Sequence, residues 1–203
     1  MRTVDPERHR QRRMEIVGAA LDLFATKGLA ATTTAEIARA AGVSTGALFH
    51  YFPSKRAVFL ALFEADRAEW DEVFTTARAD DDPWAALLGV VERLAAEAAY
   101  PLVQGLVVEI LAQAHRDPEV ADLVADGDRR MMRGIADLVD RLCAAGLADP
   151  GMPSPTAARW VLTLTDGFHT RGYPEPDRDR AAELATAKRL VARALRYTGP
   201  EPG

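Results

Sequence analysis

The chain has 203 residues, of which 48% are hydrophobic and 27% charged, and its formal net charge at neutral pH is −5. This length suffices for one small domain and one larger one. Its single cysteine, Cys143, excludes an intrachain disulfide. No apolar run approaches the roughly 20 residues that would span a bilayer, and no N-terminal segment has the pattern of a signal peptide. We therefore expect a soluble, cytoplasmic protein.

The first predicted helix runs from about Glu7 to Lys27. Its apolar residues recur at helical spacing and form one face, and Gly28 is a suitable stop. This face consists of Ile16, Val17, Ala20, Leu21 and Phe24. The basic residues that precede it (Arg8, Arg10, Arg12 and Arg13) form either a solvated tail or an arm close to a partner, and the sequence favours neither.

A second, short helix is predicted after Thr33. Thr33 is a good N-cap, and Glu36 three residues later completes a capping box, so the helix should begin at Thr34. Ile37 and its small apolar neighbours form a narrow face that another helix can approach closely. Gly42 ends the helix at a position suited to a positive φ angle.

A third helix follows the turn at once. Ser44 is a second N-cap, and Pro53 stops the helix that it opens. Leu48 and Phe52, at i and i+4, should point to the core. Thr45, Gly46, Ala47 and His50 are then left on the outer face. Two short helices joined by a tight turn form a helix-turn-helix, whose second helix lies in the major groove of DNA.

This stretch resembles the DNA-binding domain of the TetR family of transcriptional regulators (TetR/AcrR-like). The matching positions agree in register without a gap and cover about the first quarter of the chain. They are Gly28, Thr32-Thr33, Ile37-Ala38, Ala41-Gly42-Val43-Ser44, Gly46-Ala47-Leu48-Phe49-His50-Tyr51-Phe52 and Ser54-Lys55. The resemblance implies a three-helix DNA-binding head followed by a larger helical domain for effector binding and dimerisation.

The resemblance also implies which residues contact DNA. They are Thr33, Ser44, Thr45, Gly46, Ala47, His50, Tyr51 and Lys55. The two caps would present backbone N–H groups to phosphate, and Tyr51 and Lys55 would clamp the backbone. Apart from the resemblance, His50 is equally consistent with a solvated surface histidine. Phe49 stands where the family usually has Tyr. If that hydroxyl reaches a phosphate in the family, this chain lacks one contact per subunit, and Phe49 is not counted as a DNA ligand.

The charge distribution agrees with such a head. Residues 1–56 hold nine Lys or Arg against five Asp or Glu, a net of +4, whereas the remaining residues hold sixteen against twenty-five, a net of −9, and the two sum to −5. A basic head is attracted to DNA, while an acidic body is repelled by it.

Beyond the head every long segment has helical periodicity, and none has the alternation of a strand. Further helices are predicted at 54–79, from Trp84, and at 102–115, 119–145, 156–172 and 178–197, with loops at 146–155 and 172–176. The sequence therefore predicts an all-α fold of nine helices, with a DNA-binding domain at 1–53 and a second domain at 54–203. Within the latter, the segment Glu109–Pro118 is similar to one common in a group of TetR C-terminal domains.

The last two helices are the predicted dimer surface. Their apolar residues are spaced in stripes, and Gly167 in mid-helix suits a close crossing with another helix. The predicted interface residues are Val161, Leu164, Gly167, Phe168, Leu184, Val191 and Leu195. An intrachain contact explains the same stripes. A dimer fits the function better, because two recognition helices related by a twofold axis read a palindrome.

The effector pocket is predicted from aromatic, apolar and polar residues of the body. The candidates are Phe63, Trp70, Phe74, Trp84, Leu88, Val91, Glu109, Gln113, Met131, Ile135, Trp160, Asp166, Phe168 and His169. Adaptable apolar side chains with a few polar groups indicate a small, mainly apolar effector. Each of the apolar residues also reads as ordinary core, and each polar one as a surface or satisfied side chain.

Other classes of function find little in the sequence. The four histidines are scattered without metal-ligand spacing, and there is no Gly-rich phosphate loop, nucleophile elbow or HExxH pair. We expect that the protein is not an enzyme and that it binds neither a metal ion nor a cofactor. We expect a dimeric repressor that binds a palindromic operator and is released by its effector. The alternatives are a regulator that uses a corepressor or a protein partner, and an activator.

Overall fold

The structure is a computed structural model that describes residues 6–98, 100–171 and 179–200. Within these residues the chain forms nine α-helices and no strand, which confirms the predicted fold class. The helices are α1 (Pro6–Ala31), α2 (Thr34–Ala40), α3 (Thr45–Tyr51), α4 (Lys55–Ala79), α5 (Pro83–Glu97), α6 (Pro101–Ala114), α7 (Pro118–Ala144), α8 (Ser154–Arg171) and α9 (Arg180–Ala194).

Most helix boundaries agree with the predictions to within two residues. The starts of α6 and α7 lie one residue earlier than predicted, because a proline occupies the first helical position, where its missing N–H costs nothing. The helix α9 ends at Ala194 rather than near 197, since Arg196 takes a positive φ of 49°. The predicted loop at 172–176 and the predicted start of α9 at 178 lie outside the described residues.

The chain divides into two compact units, of which the first comprises Met1–Ala68 and Gly105–Leu123, and the second Glu69–Gln104 and Val124–Gly203. This division differs from the predicted boundary at residue 53. The first unit also includes the beginning of α4 and most of α6. Sequence order alone could not indicate that α6 belongs to the first unit, because α6 is separated from the head by more than 30 residues.

In the first unit, α1 to α4 enclose a small apolar core. Phe24 of α1 is fully buried, and its ring meets that of Phe59 edge to face with centroids 5.4 Å apart. The buried apolar side chains of this unit are Ile16, Val17, Ala20, Phe24, Ile37, Ala38, Leu48, Phe52, Val58, Phe59, Ala61, Leu62 and Val120. This core fixes the orientation of the two short helices α2 and α3.

The helix α6 joins this unit at the kink of α1. Gly28 breaks the helical geometry of α1 with a φ of 78°, and the helix continues for one more turn to Ala31. The carboxylate of Glu109 accepts a hydrogen bond of 2.8 Å from the backbone N–H of Leu29. A Cβ at Gly105 would lie 2.5 Å from the carbonyl oxygen of Ala25, so only glycine permits this approach. Glu109 thus satisfies an N–H beside the kink.

The second unit has a larger core formed by α4, α5, α7, α8 and α9. Trp84 of α5 stacks on Tyr197 with ring centroids 4.0 Å apart, and Gly134 of α7 lies directly against the ring of Phe74. Its fully buried residues include Leu87, Val91, Ile135, Leu138, Val139, Leu142, Ala158, Val191 and Leu195. Asp82 caps α5 and Asp179 caps α9, each through its carboxylate.

Among the described residues, no single helix is both long and apolar enough to cross a membrane. Only the bent pair α5 and α6 meets the length and composition criteria, and only when its two helices are counted together.

Candidate nucleic-acid interface

Local hydrogen bonds cap the starts of α2 and α3 on either side of the turn that joins them. Thr33 and Glu36 form the predicted capping box, with the Glu36 N–H donating to the Thr33 hydroxyl and the Thr33 N–H donating to the Glu36 carboxylate. Gly42 has a φ of 64°, as the sequence predicts, and Ser44 accepts a hydrogen bond of 3.1 Å from the N–H of Ala47. These contacts hold the start of α3 at a fixed angle to α2.

One side of α3 is buried and the other is open. Leu48 is 1% exposed and Phe52 at its C-cap is also 1% exposed, so both pack into the head as predicted. Thr45, Gly46 and His50 are exposed, while Ala47 is half-buried. We call the exposed side the outer face of α3. It also carries Phe49, whose side chain is 50% exposed.

The end of α3 is tied to α1 by aromatic and basic side chains. The guanidinium of Arg13 donates to the carbonyl oxygen of Tyr51 at 2.9 Å and lies 4.2 Å from the ring centroid of Phe52. The ring of Tyr51 lies beside that of His9, with centroids 4.8 Å apart. Sequence reasoning left Arg13 in an undecided basic run, because nothing local shows a contact over 38 residues. The structure makes Arg13 a residue that fixes α3.

The structure gives Lys55 contacts that the sequence does not predict. Its ammonium group donates to three backbone carbonyl oxygens, those of Leu29, Ala30 and Thr32, at 2.7, 2.8 and 2.7 Å. An ammonium group has three hydrogens, so all of them are used. Lys55 therefore caps the last turn of α1 here, and the phosphate contact that the resemblance implied stays a prediction. The pattern Ser-Lys alone could not reveal this, because the carbonyl groups lie over 20 residues away.

A cluster of charged side chains includes Arg56 at the start of α4. The guanidinium of Arg56 lies 2.7 Å from the carboxylates of both Asp117 and Glu119. Arg56 holds the pKa of the Asp117 carboxyl below its usual range, and these carboxylates raise the pKa of Arg56. In the head, hydrogen bonds from Lys27 and then from Thr33 lower the pKa of Glu36 to about 2. The ionised forms of Asp117 and Glu36 are thus favoured.

The predicted pocket residues are distributed over both units. Phe63, Glu109 and Gln113 belong to the first unit, and the other candidates to the second. Glu109 accepts hydrogen bonds from the N–H of Leu29 and from the amide of Gln113, so these polar groups support the fold. Trp70, Phe74, Trp84, Val91 and Ile135 are core, with Leu88 and Met131 packed against them. Trp160 is 54% exposed on α8, which also carries Asp166 and His169.

Two grooves border α9 in the second unit. The larger has a volume of about 660 Å³ and is lined by Ala181, Leu184, Ala185, Lys188, Arg189, Ala192, Arg193, Arg196, Tyr197 and Gly199. The smaller has about 410 Å³ and is lined by Leu164, Phe168, Asp179, Ala182, Glu183, Thr186, Ala187 and Leu190. Of the predicted pocket residues, Phe168 alone lines either of these two grooves.

The predicted dimer residues are only partly available to a partner. Val161 and Leu195 are each 1% exposed and Val191 is fully buried, all within the chain's own core, so their assignment to an interface is wrong. Helical stripes could not distinguish the two faces. Phe168 packs against Ala98 and Ala187. The exposed apolar side chains of α8 and α9 are Trp160 and Leu190.

Cys143 is a half-buried free thiol, and burial, with nearby carboxylates, raises its pKa. This makes it a weak nucleophile. Within the described part of the chain, no group of three or more His, Cys, Asp or Glu side chains is placed to hold a metal ion.

Comparison with known families accounts for most of the chain. Residues 16–62 match the family described as bacterial regulatory proteins, tetR family. Residues 104–196 match the family described as BetI-type transcriptional repressor, C-terminal. The first match contains the helix-turn-helix, and the second contains the segment Glu109–Pro118.

Individual relatives cover nearly the whole length. The chain is 27% identical over 192 residues to the HTH-type transcriptional repressor AcnR of Corynebacterium diphtheriae, covering 93% of this chain and 94% of that protein. It is 28% identical to the HTH-type transcriptional regulator BetI of Stenotrophomonas maltophilia, covering 79% and 81%. The structure of Salmonella enterica GusR superposes with a TM-score of 0.73 at 25% identity, covering 97% of this chain and 100% of that one.

Proposed function

Because the chain belongs to the TetR family of transcriptional regulators, we propose that it acts as a homodimeric repressor which binds a palindromic operator and is released by a small, mainly apolar effector. The observation that carries the proposal is the outer face of α3. It is exposed, rigidly held by caps and by Arg13, and located in a segment with a net charge of +4. Such a helix suits the major groove.

The DNA contacts divide into two kinds. Thr45, Gly46, Ala47 and His50 of α3 read base edges, while Tyr51 at its end contacts phosphate. The N-caps Thr33 and Ser44 place backbone N–H groups near the phosphate backbone. Lys55 contributes by holding the end of α1, as its three hydrogen bonds to carbonyl groups support.

A second copy of the chain packs on the exposed sides of α8 and α9. Three features support this. Trp160 and Leu190 are 54% and 43% exposed. The smaller groove of about 410 Å³ is lined by Leu164, Phe168 and Leu190. A Cβ at Gly167 would meet no heavy atom within 4 Å, so packing within the chain does not require this glycine, whereas a close helix crossing between two copies does.

Regulation follows from the spacing of the two heads. A twofold dimer binds when its recognition helices lie about 34–36 Å apart, one turn of DNA. An effector that binds the body of the dimer favours a spacing that no longer fits, with a coupling free energy of about 1–3 kcal/mol per site. The helix α4 contributes residues to both units, so it can transmit the change. A bacterial cytoplasm is the compartment in which this function operates.

The test is fluorescence anisotropy with DNA from the flanks of the protein's own gene, against a scrambled duplex, at several salt concentrations. Tight binding with two subunits per palindrome is expected. The variant Tyr51→Phe should weaken all sequences about equally, whereas His50→Ala should also change the sequence preference. Binding to neither duplex, nor to any sequence selected from random DNA, would contradict the proposal.

The dimer is tested separately by light scattering. The purified protein should have a mass of about twice 22.1 kDa. Leu190→Glu should give a monomer at micromolar concentration, since it places a charge in an apolar interface. Met152→Glu is the matched control, because Met152 is a 37% exposed apolar side chain outside α8 and α9. A wild-type monomer, or equal dissociation in both variants, would contradict this interface.

A further inference from the structure

Phe49 leaves an apolar aromatic ring exposed on α3. A phenylalanine left 50% exposed in water on a seven-residue helix gains nothing for the fold from its outer half. Its neighbours Leu48 and Phe52 are each 1% exposed, so the core of the head is already filled without it. Half of the ring is therefore available for contact with a partner.

Its place on the helix determines which partner. At 100° per residue, Phe49 lies between Thr45, four residues earlier, and Gly46, three residues earlier. It is thus on the exposed outer face of α3. A Cβ at Gly46 would meet no heavy atom within 4 Å, so the surface beside the ring is flat and open.

The chemistry of the ring limits what it can recognise. Phenylalanine has no hydrogen-bond donor or acceptor, so it cannot bind a phosphate oxygen or a base edge through a hydrogen bond. In the major groove the apolar feature of the bases is the C5-methyl group of thymine, and apolar side chains read it by contact. We propose that Phe49 is a specificity-determining residue that recognises a thymine methyl group in each half-site of the operator. This rests on the proposed function.

The test removes one thymine methyl group at a time from the operator. An operator obtained by selection from random DNA is prepared with single thymine-to-deoxyuridine substitutions, made symmetrically in both half-sites, and binding is measured by anisotropy. Deoxyuridine pairs as thymine does and lacks only the methyl group. At one position the wild-type Kd should rise about fourfold per half-site, the factor for exposing one buried methyl or methylene group.

The variants assign this effect to the ring. Phe49→Ala should bind the thymine operator more weakly and lose the response to deoxyuridine at that position. Phe49→Tyr keeps the ring and should keep the response. Met14→Ala is the matched control, because Met14 is an equally exposed apolar side chain of the head, on α1, and its variant should respond like the wild type.

The outcomes separate the inference from the proposed function. If selection yields no preferred sequence, the proposed function fails. If the operator binds tightly but no deoxyuridine position weakens the wild type, or Phe49→Ala responds as the wild type does, the inference is overturned while the proposed function stands.

Discussion

Replacing Lys55 by Met distinguishes a structural role from a DNA contact. The substitution keeps the length of the side chain and removes the ammonium group, whose three hydrogens bond to carbonyl oxygens of Leu29, Ala30 and Thr32. These carbonyls belong to the last turn of α1 and the residues just after it, where no further turn of helix supplies a donor. The variant leaves that end without its cap.

The cost can be estimated from the three contacts. A hydrogen bond to a charged group contributes roughly 1.5–3 kcal/mol to stability. Lys55 is half-buried, so water replaces part of what is lost and the sum must be reduced. We expect a loss of about 3 kcal/mol in the free energy of unfolding. For a chain of this size, 1 kcal/mol shifts Tm by about 2–4 °C, so Tm should fall by about 6–12 °C.

Two assays are needed, thermal unfolding and the salt dependence of DNA binding. If Lys55 only holds the fold, the slope of log K against log salt at a temperature where the variant is folded should equal that of the wild type. If Lys55 contacts phosphate, the slope should decrease in magnitude by about 0.9 per subunit. Lys27→Met is the control lysine of the head, since Lys27 contacts one carboxylate, that of Glu36. It should change Tm far less.

An unchanged Tm together with a smaller salt slope would refute this account of Lys55. Loss of the hydrogen bonds to the three carbonyl groups would then leave the free energy of unfolding unchanged, and the phosphate contact implied by the resemblance would be correct.

Two further predictions concern acid stability and packing. A hydrogen bond from Lys27 is the main reason that the pKa of Glu36 is lowered from 4.5 to about 2, so the stabilisation by Glu36 is complete above pH 4.5 and is lost as the pH falls toward 2. Glu36→Gln should therefore make acid unfolding, monitored by circular dichroism, less steep in this range. An identical pH profile in the variant and the wild type would contradict the prediction. Gly134→Ala should lower Tm, because the added methyl group overlaps the Phe74 ring at a cost of about 1–3 kcal/mol. The control Gly89→Ala places its methyl group in open space on α5 and should raise Tm slightly. Equal Tm shifts of the two variants in calorimetry would exclude the steric explanation.

Local chemistry made the helix-turn-helix predictable from the sequence. Thr33, Glu36, Gly42 and Ser44 act within four residues of their own positions, through capping bonds and one positive φ angle, so the structure repeats what the pattern indicates. The spacing of Leu48 and Phe52 likewise indicated the buried side of α3. The helix count followed from periodicity and prolines for the same reason.

The tertiary structure decided how these helices share their faces. A stripe at helical spacing shows that a face is apolar but not what covers it, so Val161, Val191 and Leu195 read equally as an interface or as core, and packing made them core. The same holds for Trp70, Phe74 and Trp84 among the aromatic residues proposed for a pocket. Their side chains are buried in the core between helices, which no single-helix pattern encodes.

The sequence by itself determined the fold class, the DNA-reading head and the family, because each depends on contacts between near neighbours in the chain. Only the tertiary structure assigned Lys55 to the end of α1, joined Glu109 of α6 to the kink at Gly28, and left Phe49 exposed on the outer face of α3. Each of these depends on groups far apart in sequence, or on which side of a helix remains uncovered when the chain has folded.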